Sequence, residues 1–176
     1  MKLAIFDKDG TLTTPASGAK FVQRPQDQVL LPGVAEGIAA MAADGWTIAI
    51  ASNQGGVAAG YKSLDKAIEE MRYCMKLLPK IFNAYFCPDL AGNECWHVEK
   101  GFAQSITHKY RNGIGEPYKG EYRKPCGGMI SHIQQIETFP TPTETLFIGD
   151  RPEDKQAAAN AGVRFQWADE WRNANA

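Results

Sequence analysis

Three apolar runs, each followed by a polar or acidic residue, constrain the fold of this 176-residue chain most strongly. The runs are LAIF before Asp7, TIAIA before Ser52 and TLFIG before Asp150. Such runs are typical of strands that are buried on both faces of a sheet. Because a buried carboxylate is costly unless it is paired, the two acids must find partners at the ends of their strands.

Helical patterns separate these runs. Apolar residues recur at helical spacing over residues 34–41 and again over residues 64–78, where Ser63 is a suitable N-cap. Two more helices are predicted near residues 129–136 and 153–161, and two further strands at 84–87 and 163–165. This alternation predicts a three-layer, doubly wound (Rossmann-like) α/β fold with a parallel sheet.

We expect one domain over residues 1–176. Residues 13–31 are predicted to be loop, and residues 88–122 a loop insertion on the substrate side. In doubly wound sheets the ligand lies beyond the carboxyl ends of the strands. The fold should therefore bring Asp7, Ser52 and Asp150 to one edge, although they are far apart in the sequence.

The composition narrows the function. A formal net charge of −1 and a pI near 6.3 give no sign of affinity of the whole chain for nucleic acid or membranes. No run approaches the roughly 20 apolar residues that a membrane span requires. Four cysteines are too few for a disulfide scaffold, which favours a reducing, cytoplasmic location.

Four short motifs occur in a fixed order along the chain. They are DKDGT at residues 7–11, SNQGG at 52–56, RKP at 123–125 and GDRPED at 149–154. Together they resemble the motifs of the haloacid-dehalogenase (HAD) superfamily of aspartate-nucleophile phosphatases. The resemblance spans residues 5–162. The NQ after Ser52 and the RKP..GM run look like subfamily III, the branch with histidinol-phosphate, heptose-bisphosphate and polynucleotide 3'-phosphatases.

The resemblance implies a HAD-like fold with a minimal cap and a phosphatase site built on two acids. Asp7 would be the nucleophile that forms an aspartyl-phosphate. Asp9 would protonate the leaving group and then act as base for the hydrolytic water. Lys8, between these two residues, receives no role.

The resemblance also implies a magnesium site. Asp7, Asp150 and the backbone carbonyl of Asp9 would be the ligands, in keeping with the preference of Mg²⁺ for oxygen. Asp154, one helical turn after Asp150, would orient Lys124 or a metal-bound water. An alternative is that Asp154 only complements the dipole of its helix.

Four further positions complete the implied site. Ser52 would hold phosphoryl oxygens, and Lys124 would neutralise the charge on the nucleophile and the phosphoryl group. Asn53, Gln54 and Arg123 would bind substrate.

A zinc site is a separate expectation. Bacterial heptose-bisphosphate phosphatases carry a zinc loop with a Cys-x-His near the third strand and a Cys-x-Cys just before the Arg-Lys-Pro. Here Pro88 and Asp89 follow Cys87, and Glu121 and Tyr122 precede Arg123, so both patterns are missing at those places. What remains is Cys87, Cys95, His97 and Cys126. This set has the composition of a Cys₃His zinc site, although free cysteines are more often buried as small apolar residues.

Two substrate classes stay open, with a small phosphorylated metabolite (a sugar or amino-alcohol phosphate) as the first. The second is a 3'-phosphorylated nucleic-acid end. Residues 100–124 carry a net charge of +4, from six Lys or Arg and two Glu, with three interleaved tyrosines, and such a strip suits nucleic acid. A non-catalytic phosphate-binding module is a remote third possibility.

Overall fold

The computed structural model describes residues 1–107, 117–137 and 142–176. Its strands are β1 (Lys2–Phe6), β2 (Thr13–Thr14), β3 (Val29–Leu30), β4 (Trp46–Asn53), β5 (Asn83–Cys87), β6 (Trp96–Val98), β7 (Ala103–Ser105), β8 (Glu144–Gly149) and β9 (Arg164–Trp167). Its helices are α1 (Val34–Ala43), α2 (Leu64–Leu77), α3 (Gly128–Glu137), α4 (Pro152–Asn160) and α5 (Ala168–Asn173).

Seven of these strands form one sheet in the order β7-β6-β5-β4-β1-β8-β9. Strands β5, β4, β1, β8 and β9 are parallel, whereas β6 and β7 are antiparallel. The doubly wound α/β prediction is therefore confirmed, with two antiparallel strands added at one edge. These two strands lie in the segment 88–122 that was predicted to be loop.

Helices cover both faces of the sheet. The side chains of β1 alternate between the two faces and therefore pack in two separate cores. Ala4 and Phe6 pack with residues of α1, α2 and α5. Leu3 and Ile5 pack with residues of α3 and α4 on the opposite face. Ser63 accepts a hydrogen bond from the backbone N–H of Lys66 at the start of α2, as its capping pattern predicts.

The parallel register positions the functional edge. Strand β1 lies between β4 and β8, so the residues that follow the three strands meet at their carboxyl ends. The backbone N–H of Asp7 continues this ladder by donating to the Ile148 carbonyl at 2.9 Å. The short pair β2–β3, in the segment predicted to be loop, lies just beyond this edge.

The sequence pattern gave no indication of α5, which docks beside the same edge. The Trp171 ring is 4 % exposed and meets the Phe6 ring edge-on at 4.8 Å between centroids. A Cβ on Gly37 would lie 2.5 Å from Trp171 Cζ2, so α1 approaches α5 closely at a residue without a side chain. The Arg172 guanidinium donates to the carbonyls of Gly10 and Thr11, both at 3.0 Å.

No helix in the described ranges is long and apolar enough to cross a membrane.

Trp171→Ala should lower the free energy of unfolding by about 3–5 kcal/mol, because it removes a large ring from a packed core. Tyr61→Ala is the control, since Tyr61 is 87 % exposed, and its effect should stay within about 0.5 kcal/mol. Chemical denaturation followed by circular dichroism measures both values. Equal effects of the two variants would show that α5 does not stabilise the fold.

Candidate active site

Lys124 lies between two buried acids. Its ammonium is 2.6 Å from Asp7 Oδ1 and 2.7 Å from Asp154 Oδ1, and it also donates to the Ala51 carbonyl at 3.0 Å. All three charged residues are less than a tenth exposed. The ion pairs answer the question that the sequence raises about Asp7, because its charge is compensated by a residue from a distant segment.

Burial and neighbouring charges have opposite effects on the pKa values of Asp7 and Lys124. Burial dominates at Asp7 and raises the pKa of its carboxyl to about 7, although the Lys124 ammonium acts in the opposite direction. Burial alone would lower the pKa of Lys124, but Asp7 and Asp154 outweigh it and raise that pKa. The lysine is therefore held as a cation next to the nucleophile candidate.

Asp154 is fixed by its helix as well as by Lys124. Its Oδ2 accepts the backbone N–H of Arg151 at 3.1 Å, which caps the start of α4. A Cβ on Gly149 would lie 2.4 Å from the Asp154 Cβ, so a glycine is required where β8 passes this side chain. The geometry fits the prediction that Asp154 orients Lys124.

Asn53 binds the backbone of Lys124. Its amide nitrogen donates to the Lys124 carbonyl at 2.9 Å, and its amide oxygen accepts the Lys124 N–H at 3.0 Å. The prediction that Asn53 binds substrate is not matched by this geometry, because both ends of its amide are already used. Asn53 instead joins the end of β4 to the segment that carries the lysine.

Gln54 is engaged in a similar way. Its amide nitrogen donates to Ser52 Oγ at 2.9 Å and to Asp9 Oδ2 at 3.0 Å. Its amide oxygen accepts a hydrogen bond from Lys62 at 3.0 Å. Gln54 is only 4 % exposed, so it connects Ser52 to Asp9 and is poorly placed to bind substrate as predicted.

Asp9 is the more accessible of the first two acids, with 42 % of its side chain exposed. Its Oδ1 forms an ion pair with Lys8. Burial alone would raise the pKa of Asp9, but the Lys8 charge and the hydrogen bonds from Lys8 and Gln54 lower it. Sequence reasoning missed Lys8, because a lysine at a strand end looks like a solvated residue until its fold neighbours are known.

Arg123 has the environment of a ligand-binding residue. Its Nη1 is buried and has no hydrogen-bond partner among the described residues. A Cβ on Gly55 would lie 2.9 Å from this nitrogen, so the guanidinium packs closely over the loop after β4. An unpaired buried donor of this kind is costly unless a ligand satisfies it, which agrees with the predicted role in substrate binding.

The residues present fit a divalent cation. Asp7, Asp150 and Asp154 offer carboxylate oxygens that all lie within 4.8 Å of one another. Thr11 donates to Asp150 Oδ1 at 3.1 Å and orients it. Gly10 has a φ of 84°, and a Cβ there would lie 2.4 Å from Asp150 Oδ2, so only a glycine leaves this carboxylate in place.

The zinc expectation finds no support. Across residues 1–107, 117–137 and 142–176, the three aspartates are the only group of His, Cys, Asp or Glu placed to hold a metal. Burial raises the pKa of the Cys87 thiol to about 12, and Cys95 is packed in the same core. His97 stacks on Tyr85 and lies 2.8 Å from Asn83 Oδ1, while Cys126 is half-buried. The sequence set had the composition of a zinc site without its geometry.

The basic strip is only partly described, because residues 108–116 lie outside the described ranges. Of its remaining tyrosines, Tyr122 is fully buried and Tyr118 packs edge-on against it, and both rings face His132. Lys124 belongs to the buried ion pairs. These residues therefore do not form the exposed aromatic and cationic surface that the nucleic-acid alternative assumed.

Comparison with known proteins agrees with this arrangement. The crystal structure of D,D-heptose 1,7-bisphosphate phosphatase from B. bronchiseptica, complexed with magnesium and phosphate, has the same fold. The TM-score is 0.66 at 24% identity, over 94% of this chain and 79% of that chain. That likeness shows the fold, and the family model and curated relatives described next show that the protein is an enzyme of a phosphatase family.

The family assignment is more specific. The sequence model of the family described as polynucleotide kinase 3 phosphatase matches residues 2–171, and the chain belongs to that family. A heptose-1,7-bisphosphate 7-phosphatase from Rhodopseudomonas palustris is 30% identical over 174 residues, 94% of this chain and 84% of that protein. One from Thermosynechococcus vestitus is 29% identical over 167 residues, covering 90% and 74%.

Asn53→Ala should lower kcat at least tenfold and leave KM nearly unchanged, since it releases Lys124 without removing a substrate contact. The buried N–H and carbonyl of Lys124 would lose their partners, which should cost about 1–3 kcal/mol of unfolding free energy. Asn93→Ala, at an exposed asparagine, should change neither kcat nor the free energy of unfolding. Steady-state kinetics and denaturation test both variants, and a raised KM at unchanged kcat would show that Asn53 binds substrate.

Proposed function

We propose that this protein is a magnesium-dependent phosphomonoesterase that hydrolyses a small sugar phosphate through an aspartyl-phosphate on Asp7. The observation that carries the proposal is the buried pairing of Asp7 with Lys124, with Asp9 two residues later at the exposed side. A carboxylate held beside a fixed cation, with a second acid within reach of solvent, has the two groups that the reaction needs.

In the first half-reaction, an Asp7 oxygen attacks phosphorus and the bond from phosphorus to the leaving oxygen breaks. Asp9 takes up the proton of the monoanionic phosphate ester and passes it to that oxygen, so the leaving group departs as an alcohol. Lys124 and the Ser52 hydroxyl stabilise the negative charge that the phosphoryl oxygens carry in the transition state. Arg123 would satisfy its unpaired donor on a substrate oxygen.

In the second half-reaction, Asp9 accepts a proton from a water that attacks the phosphorus of the aspartyl-phosphate. The bond from phosphorus to the Asp7 oxygen breaks, which releases inorganic phosphate and restores the carboxylate. Mg²⁺, when held by Asp7, Asp150 and the Asp9 carbonyl, would supply positive charge to the phosphoryl oxygens. The magnesium and phosphate in the B. bronchiseptica crystal structure support magnesium as the metal.

A sugar phosphate is the favoured substrate because the similar curated enzymes act on heptose bisphosphates. A polynucleotide 3'-phosphate is the second candidate, which the description of the matching family favours. The burial of Tyr122 weakens this second candidate, since its ring cannot stack on a base.

A substrate panel tests the proposal. We expect kcat/KM to be highest for sugar phosphates, heptose 1,7-bisphosphate among them, and at least 100-fold lower for a 3'-phosphorylated oligonucleotide. Asp7→Asn should abolish turnover of every substrate, whereas Asp65→Asn, at an exposed acid of α2, should leave it unchanged. Faster release of phosphate from the oligonucleotide, falling steeply with salt, would replace the sugar-phosphate proposal. Turnover retained by Asp7→Asn would contradict the mechanism.

A further inference from the structure

The Lys8 side chain is fully buried although it stands between the two acids of the site. Its ammonium contacts Asp9 Oδ1 and donates to Gln28 Oε1 at 3.2 Å. A buried ammonium is costly, and an apolar side chain of similar volume would often be at least as stabilising. Stability alone therefore gives no reason for a charged residue here.

The second oxygen of the same carboxylate has a donor of its own. Gln54 donates to Asp9 Oδ2 at 3.0 Å, while Lys8 contacts Oδ1. Without these contacts, a half-exposed aspartate would move among several rotamers. The two donors instead hold the plane of the Asp9 carboxylate in one orientation, and Gln54 ties that orientation to Ser52.

Both donors are supported from α2. The amide oxygen of Gln28 accepts a hydrogen bond from Lys8, and its amide nitrogen donates to the backbone carbonyl of Glu70 at 3.1 Å. Lys62 donates to Gln54 and forms a 2.6 Å ion pair with the Glu70 carboxylate. Glu70, itself 2 % exposed, thus anchors both arms of the arrangement.

We propose that Lys8 and Gln54 are positioning residues that fix the Asp9 carboxylate for proton transfer to the leaving oxygen. The inference rests on the proposed role of Asp9 as general acid and base. Proton transfer requires the acid to lie within hydrogen-bond reach of the leaving oxygen, and misplacement by about 1 Å can cost about 100-fold in rate. Lys8 acts through Asp9 and does not touch the reacting atoms.

The dependence on the leaving group separates this role from a merely structural one. A sugar alkoxide needs a proton as it departs, whereas p-nitrophenolate departs without one. Lys8→Met should therefore lower kcat/KM for the best sugar phosphate by about 100-fold, and for p-nitrophenyl phosphate by less than tenfold. Lys2→Met is the matched control, because Lys2 is the first residue of β1, at the end away from the site, and the change breaks its 2.6 Å ion pair with Asp44 at the end of α1. It should change neither value.

A double-variant cycle with Asp9→Asn completes the test. Asp9→Asn should show the same preference for p-nitrophenyl phosphate, and adding Lys8→Met to it should lower the sugar-phosphate kcat/KM by no more than about twofold, since both changes remove one function. Losses that multiply, or equal losses for both substrates in Lys8→Met, would overturn the inference and leave the proposed function intact. Asp9→Asn without this preference would overturn the role of Asp9 and the inference with it.

If Lys8→Met does not fold, Gln54→Met carries the test, because it removes the donor to the other Asp9 oxygen. Gln54 also contacts Ser52, so some loss is expected with both substrates. The sugar-phosphate loss should still exceed the p-nitrophenyl phosphate loss by at least tenfold, and equal losses would overturn the inference.

Discussion

Lys124 places its ammonium 2.6 Å from Asp7 and 2.7 Å from Asp154, where water has little access to any of the three. Without that cation, two carboxylates would face each other at the end of the central strand, and breaking a buried pair of this kind costs about 3–5 kcal/mol. The same charge that makes the strand end tolerable also prepares the site for an anionic phosphoryl group. Stability and the proposed catalysis therefore depend on one contact.

The fold delivers that contact through distant segments that act on backbone atoms. Asn53 at the end of β4 forms two hydrogen bonds with the backbone of Lys124, and the backbone N–H of Arg151 at the start of α4 donates to Asp154. Arg172 in α5 binds the carbonyls of the loop that follows Asp7. The carboxyl ends of the central strands, which carry the candidate site, are thus the place where the sheet, α4 and α5 are joined.

The central strands and their terminal acids could be predicted from the sequence, because unbroken apolar runs followed by polar residues report burial directly. Strands β6 and β7 could not, since three-residue strands such as Ala103–Ser105 carry too short a pattern. The roles of Lys8 and Gln54 depend on contacts with Gln28 and Glu70, which local spacing does not encode. The zinc prediction finds no support in the structure, because ligand composition does not specify which thiols the fold brings together.

The most direct test of the account is to trap the aspartyl-phosphate. Enzyme quenched in acid during turnover of a sugar phosphate and reduced with borohydride should contain homoserine at position 7, detected by the mass of the peptide that spans Asp7. Homoserine at position 7 should be absent from Asp7→Asn and present in Asp65→Asn. Homoserine at any other aspartate, or none under conditions in which the intermediate accumulates, would contradict the claim that Asp7 is the nucleophile.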